Sequence, residues 1–349
     1  MTYDALLIVS FGGPEQPGDV IPFLENVLRG KNVPRERMLQ VAEHYYHFGG
    51  KSPINDQNRA LIAALDSEFK THGLAMPIYW GNRNWHPLLA DTLGQMREDG
   101  IGRALAFATS AFGSYSGCRQ YLEDIERARE AAGSGAPEVH KLRTFHNHPG
   151  FIQAAADRVR TAFDRIPQPR RDRTPLVFTA HSIPLSMAET SPYVSQLEDS
   201  CRLVSEALGR PPGTLVYQSR SGPPAQPWLE PDIGDYIRQL HAAGDLTDLV
   251  VVPIGFLSDH MEVVYDLDTE ASELCGQLGV NLVRAGTVGG HPAFVSAIRE
   301  LVLERRDGAE RRSLGRMGPS PDFCAADCCP APRRPAAISA PGPGDRQRT

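Results

Sequence analysis

The chain has no apolar run approaching the roughly 20 residues needed to cross a bilayer. It has no basic run long enough to follow a phosphate backbone, and its formal net charge is −6, so nucleic acid is not the expected partner. No Walker loop is present. The glycine pattern Phe11-Gly12-Gly13-Pro14 lacks the third glycine of a dinucleotide fingerprint, and Pro14 interrupts the spacing. Residues 1–10 show neither the basic start nor the small-residue cleavage site of a secretory signal. They read as a first strand, so the expected location is the cytoplasm. Cysteine is also scarce, with six in 349 residues. In a reducing cytosol these are poor candidates for structural disulfides. Cys324, Cys328 and Cys329 nevertheless fall close together, which points to metal chemistry.

What is present is a globular composition. Hydrophobic residues make up 41% and charged residues 22%, enough apolar material for one large or two ordinary domains. Short apolar runs at 5–10, 77–80, 103–109, 176–180, 213–217, 249–253 and 281–284 read as strands. Amphipathic stretches at 20–28, 57–72, 85–99, 119–132, 150–162, 193–208, 232–243, 262–278 and 292–305 read as helices. This alternation predicts an α/β fold with parallel sheets covered on both faces. The Pro-rich, charged linker 165–175 divides the chain into halves that each open on an apolar strand ending in a small polar turn. The expected organisation is a lobe over 1–164, a second over 165–310, a cysteine-containing segment over 311–332 and a disordered tail over 333–349.

Two segments carry the titratable residues. Strand 176–180 runs into His181, and strand 249–253 leads to Asp259, His260, Glu262, Asp266, Asp268 and Glu270. In open α/β sheets the carboxyl edge is where ligands bind. Glu262, Asp266 and Glu270 are spaced by four, so on a helix they share one face. No Lys or Arg occurs between 256 and 283 to relieve their repulsion locally. The ordinary reading of such a stripe is a solvated helix face. Its position at a strand exit instead suits hydrated divalent metals or outward proton relay. A lone histidine is more often structural than catalytic, but an imidazole beside that row suits proton abstraction near neutral pH. Segment 49–53 offers backbone amides to an anion or is simply a turn. The polar, Pro-stiffened stretch 217–232 is longer than an idle connection needs to be. Arg83 and Trp85 sit at another polar strand exit, available to an anionic aromatic ligand.

These motifs resemble the ferrochelatase family, whose members insert ferrous iron into a porphyrin. The matching segments are Ser10-Phe11-Gly12-Gly13-Pro14, 47–53, 178–184 around His181, Gln218-Ser219-Arg220, 227–231, and 253–262 with Tyr265-Asp266-Leu267-Asp268, in family order over residues 3–305. The resemblance implies two Rossmann-like lobes, each a parallel sheet flanked by helices, with a porphyrin cleft between them. It implies catalytic roles for His181 and Glu262, and metal handling by His181, Glu262, Asp266 and Glu270. Segments 81–85 and 219–224 are most similar to the actinobacterial, coproporphyrin III-using form. Four propionates then need contacts, and Phe11, Arg29, Ser52 and Tyr121 match substrate-binding positions. Phe11 departs from relatives that place a tyrosine there, and a phenyl ring cannot ligate iron. Cys324, Cys328 and Cys329 resemble the cysteine cluster that some members use for a [2Fe–2S] centre, which needs a fourth thiolate; Cys118 is the candidate. A bound zinc and free thiols are the alternatives. The implied partners are a porphyrin, Fe2+ and, for handover, the next enzyme of haem biosynthesis. Competing functions are a protoporphyrin IX ferrochelatase, a cobalt or nickel tetrapyrrole chelatase, and a non-catalytic haem or porphyrin carrier.

Overall fold

A computed structural model describes residues 2–331 apart from 223, 224 and 326; the tail expected over 333–349 lies outside the described residues. Eight strands form two parallel four-stranded sheets. The first contains β1 (Ala5–Ser10), β2 (Ile78–Asn82), β3 (Arg103–Ala108) and β4 (Glu138–Lys141) in the order β2-β1-β3-β4. The second contains β5 (Leu176–His181), β6 (Thr214–Gln218), β7 (Asp248–Val252) and β8 (Asn281–Arg284) in the order β6-β5-β7-β8. Both sheets are thus wound the same way, although the two halves differ in sequence.

Strands β1 and β7 are buried along their whole length, as two-sided helix cover requires. The first half contributes α1 (Val20–Val27), α2 (Arg35–His47), α3 (Ile54–Thr71), α4 (Leu89–Glu98), α5 (Gln120–Ala132) and α6 (Pro149–Asp164). Two elements were not legible in the apolar pattern. Strand β4 reads Glu-Val-His-Lys and lies at a sheet edge, so only Val139 is buried. Helix α2 buries just Met38 and Ala42 and has no broad apolar stripe.

The lobes are not independent bodies. The C-terminal helix Pro292–Asp307 returns to pack on α3 and α6, and α6 also meets β7 and β8. Phe107, Phe145, Phe151 and Phe294 join in one aromatic knot, with Phe107 stacked on Phe145 at 5.2 Å. One apolar core therefore includes Leu6 and Ile8 from the first sheet and Phe178 and Val250 from the second.

Beyond Gly308, whose left-handed backbone ends the last helix, the chain is strapped to segment 143–147. Arg143, buried, donates to both oxygens of Glu304 at 2.6 and 3.0 Å and to the Arg312 carbonyl at 2.8 Å. Asn147 donates to the carbonyls of Leu314 and Gly318. This strap delivers the C-terminal cysteines to the first lobe.

Candidate active site

Strand β5 is fully buried up to Ala180, and His181 is its first partly open residue. Three contacts fix this strand end. The Tyr193 hydroxyl donates to the His181 carbonyl at 3.0 Å, the Ser182 N–H donates to the Gln218 carbonyl at 2.8 Å, and the Ser182 hydroxyl donates to the Leu229 carbonyl at 2.8 Å. The His181 Nδ1–H donates to the Ser182 carbonyl, so Nε2 faces outward. The turn after β7 comes very close: a Cβ on Gly255 would lie 2.7 Å from the Ala180 Cα and Cβ. Only glycine permits that approach, and it sets the acidic segment beside His181.

The expected helix over 262–278 is composite. A turn at Met261–Val263 passes into a π-helix at Val264–Ala271, which reverts to α at Ser272–Gln277. Such π segments are rare and frequently mark functional sites. His260 caps the start, its Nδ1 accepting the Glu262 N–H at 3.2 Å. Gln218 and Ser219, at the exit of β6, hold the π turn. The Gln218 side-chain amide donates to the Glu262 carbonyl at 2.8 Å and to Asp266 at 3.3 Å, and the Ser219 hydroxyl donates to Asp266. Ser219 adopts a φ of 62° in doing so, a strained backbone for a non-glycine residue.

His181 Nε2 lies 3.5 Å from a Glu262 oxygen, and His260 lies 3.9 Å from the other. Burial alone would depress His181, but the Glu262 charge and hydrogen bond outweigh it and raise its pKa. Burial alone would raise Glu262, but His181 and then His260 and Lys31 pull it down to about 2. Asp266 goes the other way. Burial, with the Glu262 and Glu270 charges, pushes it up to about 7 despite its hydrogen bonds from Ser219 and Gln218. Glu270 is raised by burial and by the Asp232 and Glu273 charges. The other acids are neutralised: Arg284 bonds Asp259 at 3.0 Å and Asp268 at 2.5 Å. Among the described residues, the only salt-bridge partners of the row Glu262–Asp266–Glu270 are therefore His181 and His260, both on Glu262, which stays ionised while Asp266 and Glu270 hold protons more readily. Among the described residues, no three His, Cys, Asp or Glu side chains are closed around a metal position. The row is a path with an acidity gradient, not a cage.

The first lobe covers this row. His44 of α2 stacks on Tyr265 with ring centroids 3.7 Å apart, and the Asp259 N–H donates to Gln57 of α3. Of the four residues expected to meet substrate, Phe11 and Arg29 are open to solvent. Ser52 and Tyr121 are buried, Tyr121 beneath the Arg83 guanidinium at 4.5 Å. Arg83, which the sequence offers to an anion, is instead paired with Asp124 and almost fully covered. Sequence reasoning missed Tyr193, Gly255 and Lys31. Tyr193 is an aromatic residue at a helix start, and only the three-dimensional contact distinguishes it from ordinary core.

A fold of two like-wound parallel sheets with an acidic π-helix facing a strand-end histidine defines a chelatase-type protein. The same architecture occurs in the sirohydrochlorin chelatase SirB of Bacillus subtilis, solved with cobalt and with Fe3+ (TM-scores 0.53 and 0.54, 13% identity, 88% of this chain and 97–98% of those chains). At that identity the likeness concerns the fold alone. The ferrochelatase family profile matches residues 3–306. A ferrochelatase of Rhodopirellula baltica is 59% identical over 95% of both chains. Coproporphyrin III ferrochelatases of Nocardia farcinica and Streptomyces coelicolor are each 50% identical, over 97% and 98% of this chain and 99% and 97% of theirs. The chain belongs to the ferrochelatase family and is an enzyme that inserts iron into a porphyrin.

Proposed function

We propose that this enzyme inserts ferrous iron into coproporphyrin III in haem biosynthesis, with His181 and Glu262 as its catalytic pair. The observation that carries the mechanism is the placement of His181 Nε2 3.5 Å from Glu262, with Asp266 next on the π turn under Gln218 and Ser219; their surroundings hold Glu262 down to about 2 and push Asp266 up to about 7. Carboxylates whose environments push them apart divide acid and base work between them.

Metalation replaces two pyrrole N–H protons with Fe2+, so charge balances without any redox step. The neutral His181 ring, with Nδ1–H bonded to Ser182, offers the Nε2 lone pair to a pyrrole proton. Glu262 stays ionised, stabilises the imidazolium that forms and attracts the incoming dication. Asp266 accepts a proton near neutral pH, and Glu270 lies next along the same face toward the outside. Metal and protons thus both use His181, Glu262, Asp266 and Glu270. Coproporphyrin III carries four carboxylates. Arg29 at the open rim is offered one of them, with Phe11 against the ring face, while Ser52 and Tyr121 are buried and support the wall from behind. Lys31, whose charge reaches both Glu262 and Arg83, adds a cation at this rim.

The names of the relatives at 50% identity favour coproporphyrin III over protoporphyrin IX. Anaerobic incubation with ferrous iron and each porphyrin, followed by absorbance, tests the assignment. Faster metalation of coproporphyrin III is expected, and faster metalation of protoporphyrin IX reverses it. No helix among the described residues is long and apolar enough to cross a membrane. A cytoplasmic enzyme handing Fe-coproporphyrin to the next enzyme of the pathway fits this reading.

A [2Fe–2S] centre is part of the same proposal. Cys118, buried on the π-turn Tyr115–Arg119, lines a 360 Å³ cavity together with Cys324, Cys328 and Cys329. As they stand no three of these thiols are closed around a metal position, but four thiols lining one cavity are the donor set such a centre takes. Cys328 and Cys329 place their sulfurs 3.6 Å apart, near the ~3.8 Å kept by two sulfurs ~2.3 Å from one tetrahedral metal. Cys118, Cys324, Cys328 and Cys329 would hold the centre, which when bound supplies a one-electron couple.

A further inference from the structure

The cavity that gathers the four thiols is also lined by Arg119, His140, Lys141 and Asp322. Three of these four titratable neighbours are already engaged. Arg119 lies 3.5 Å from Glu123. His140 is held between Glu138 and the Tyr3 hydroxyl, both at 2.8 Å. Asp322 faces Arg305 at 3.4 Å and Arg311 at 3.7 Å. Lys141 differs. Its ammonium donates to the neighbouring Leu142 carbonyl at 3.0 Å, and among the described residues no carboxylate lies in salt-bridge range of it. It is half-buried at the end of edge strand β4, so its charge is set against a mainly apolar wall of Leu122, Val139, Pro192 and Phe323. Among the described residues no carboxylate thus offsets this half-buried cation, and the anionic partner the cavity offers it is the set of thiols.

We infer that Lys141 is the counter-charge of the thiol pocket, stabilising a tetrathiolate iron–sulfur centre there and raising its reduction potential. This rests on the cluster reading given above. Four thiolates and two sulfides outweigh the charge of two ferric ions, so the oxidised centre is an anion, and one-electron reduction adds a further negative charge. A fixed cation beside the sulfurs stabilises the reduced form more than the oxidised form. Charge and hydrogen bonding near the sulfurs are established levers on such potentials. In a wall of low polarity the lever is longer than in water.

The test uses full-length protein purified anaerobically as the parent, Lys141→Gln and Lys141→Arg. Iron, acid-labile sulfide and the midpoint potential from an optical redox titration are measured on each. Expected is a more negative midpoint for Lys141→Gln than for the parent at equal cluster content, with Lys141→Arg staying near the parent. Loss of the cluster in Lys141→Gln but not in Lys141→Arg supports the same role through assembly. An unchanged midpoint in fully loaded Lys141→Gln overturns the role of Lys141 and leaves the cluster reading standing. Loss of the cluster in both variants overturns it too, since charge is then not what matters. A parent preparation free of iron and sulfide overturns both readings together.

Discussion

Replacing Glu262 with Gln keeps the shape of the side chain and removes one charge 3.5 Å from His181 Nε2. That charge is the principal influence raising the His181 pKa against burial. The Glu262 side chain is 48% exposed to the open groove, so screening must be included. With water-like screening, two unit charges at that distance interact by about 1 kcal/mol, equivalent to about one pKa unit. A drier groove, with an effective dielectric near ~20, enlarges this to roughly three units. The neutral imidazole is the base, so the acid limb of the kcat/KM profile should shift toward lower pH by at least about one unit. The rate on the plateau should meanwhile fall by about 10²–10³-fold, the usual loss when one preorganised electrostatic stabiliser is removed. The two effects have opposite signs at mildly acidic pH, where the variant holds more neutral His181 yet turns over more slowly. Anaerobic stopped-time assays across pH 5 to 9 separate them. A variant whose acid limb stays in place would refute the coupling of His181 to Glu262.

Three further outcomes follow from the same electrostatics. Asp266→Asn removes a carboxyl raised to about 7. A raised acid contributes stability that is full below its unfolded value and is lost as pH rises through the folded value, so the variant should gain thermal stability relative to the parent at pH 8 but not at pH 4, while metalating more slowly. Equal melting shifts at both pH values would count against the raised acidity. His146 and His148 are buried without hydrogen-bond partners on their Nε2 atoms, and burial lowers them to about 4 and about 3. Their depressed values mean that the unfolded chain binds more protons below about pH 6.5. At pH 5 each histidine therefore withdraws up to ~2 kcal/mol, which a urea midpoint measured at pH 7 and pH 5 will register and which His148→Gln should reduce. Gln218→Leu deletes the amide that links β6 to Glu262 and Asp266; metalation should slow while porphyrin affinity, read by fluorescence quenching, stays close to that of the parent.

The proposed catalytic residues were legible because their chemistry contradicts their place in the pattern. His181 interrupts an apolar strand at its exit, and three acids follow at helical spacing where repulsion has no local relief. What the spacing could not convey was which acids are neutralised. Arg284 settles that from 16 and 25 residues away, pairing with Asp268 and Asp259 and leaving the other row bare. Nor could periodicity distinguish a π turn from an α turn at 264–271, since the extra residue per turn leaves a spacing of four nearly aligned. Edge strand β4 and helix α2 stayed hidden because they bury little. The strap that carries Cys324, Cys328 and Cys329 toward Cys118 depends on Arg143 and Asn147, more than 150 residues earlier in the chain.

The most direct measurement is anaerobic iron insertion into coproporphyrin III by His181→Ala, with porphyrin binding followed in parallel. If His181 Nε2 takes the pyrrole proton, the variant binds the porphyrin with affinity close to the parent but forms no iron product above the uncatalysed rate. Iron insertion at the parent rate would contradict the assignment of His181 and with it the proton path through Glu262 and Asp266.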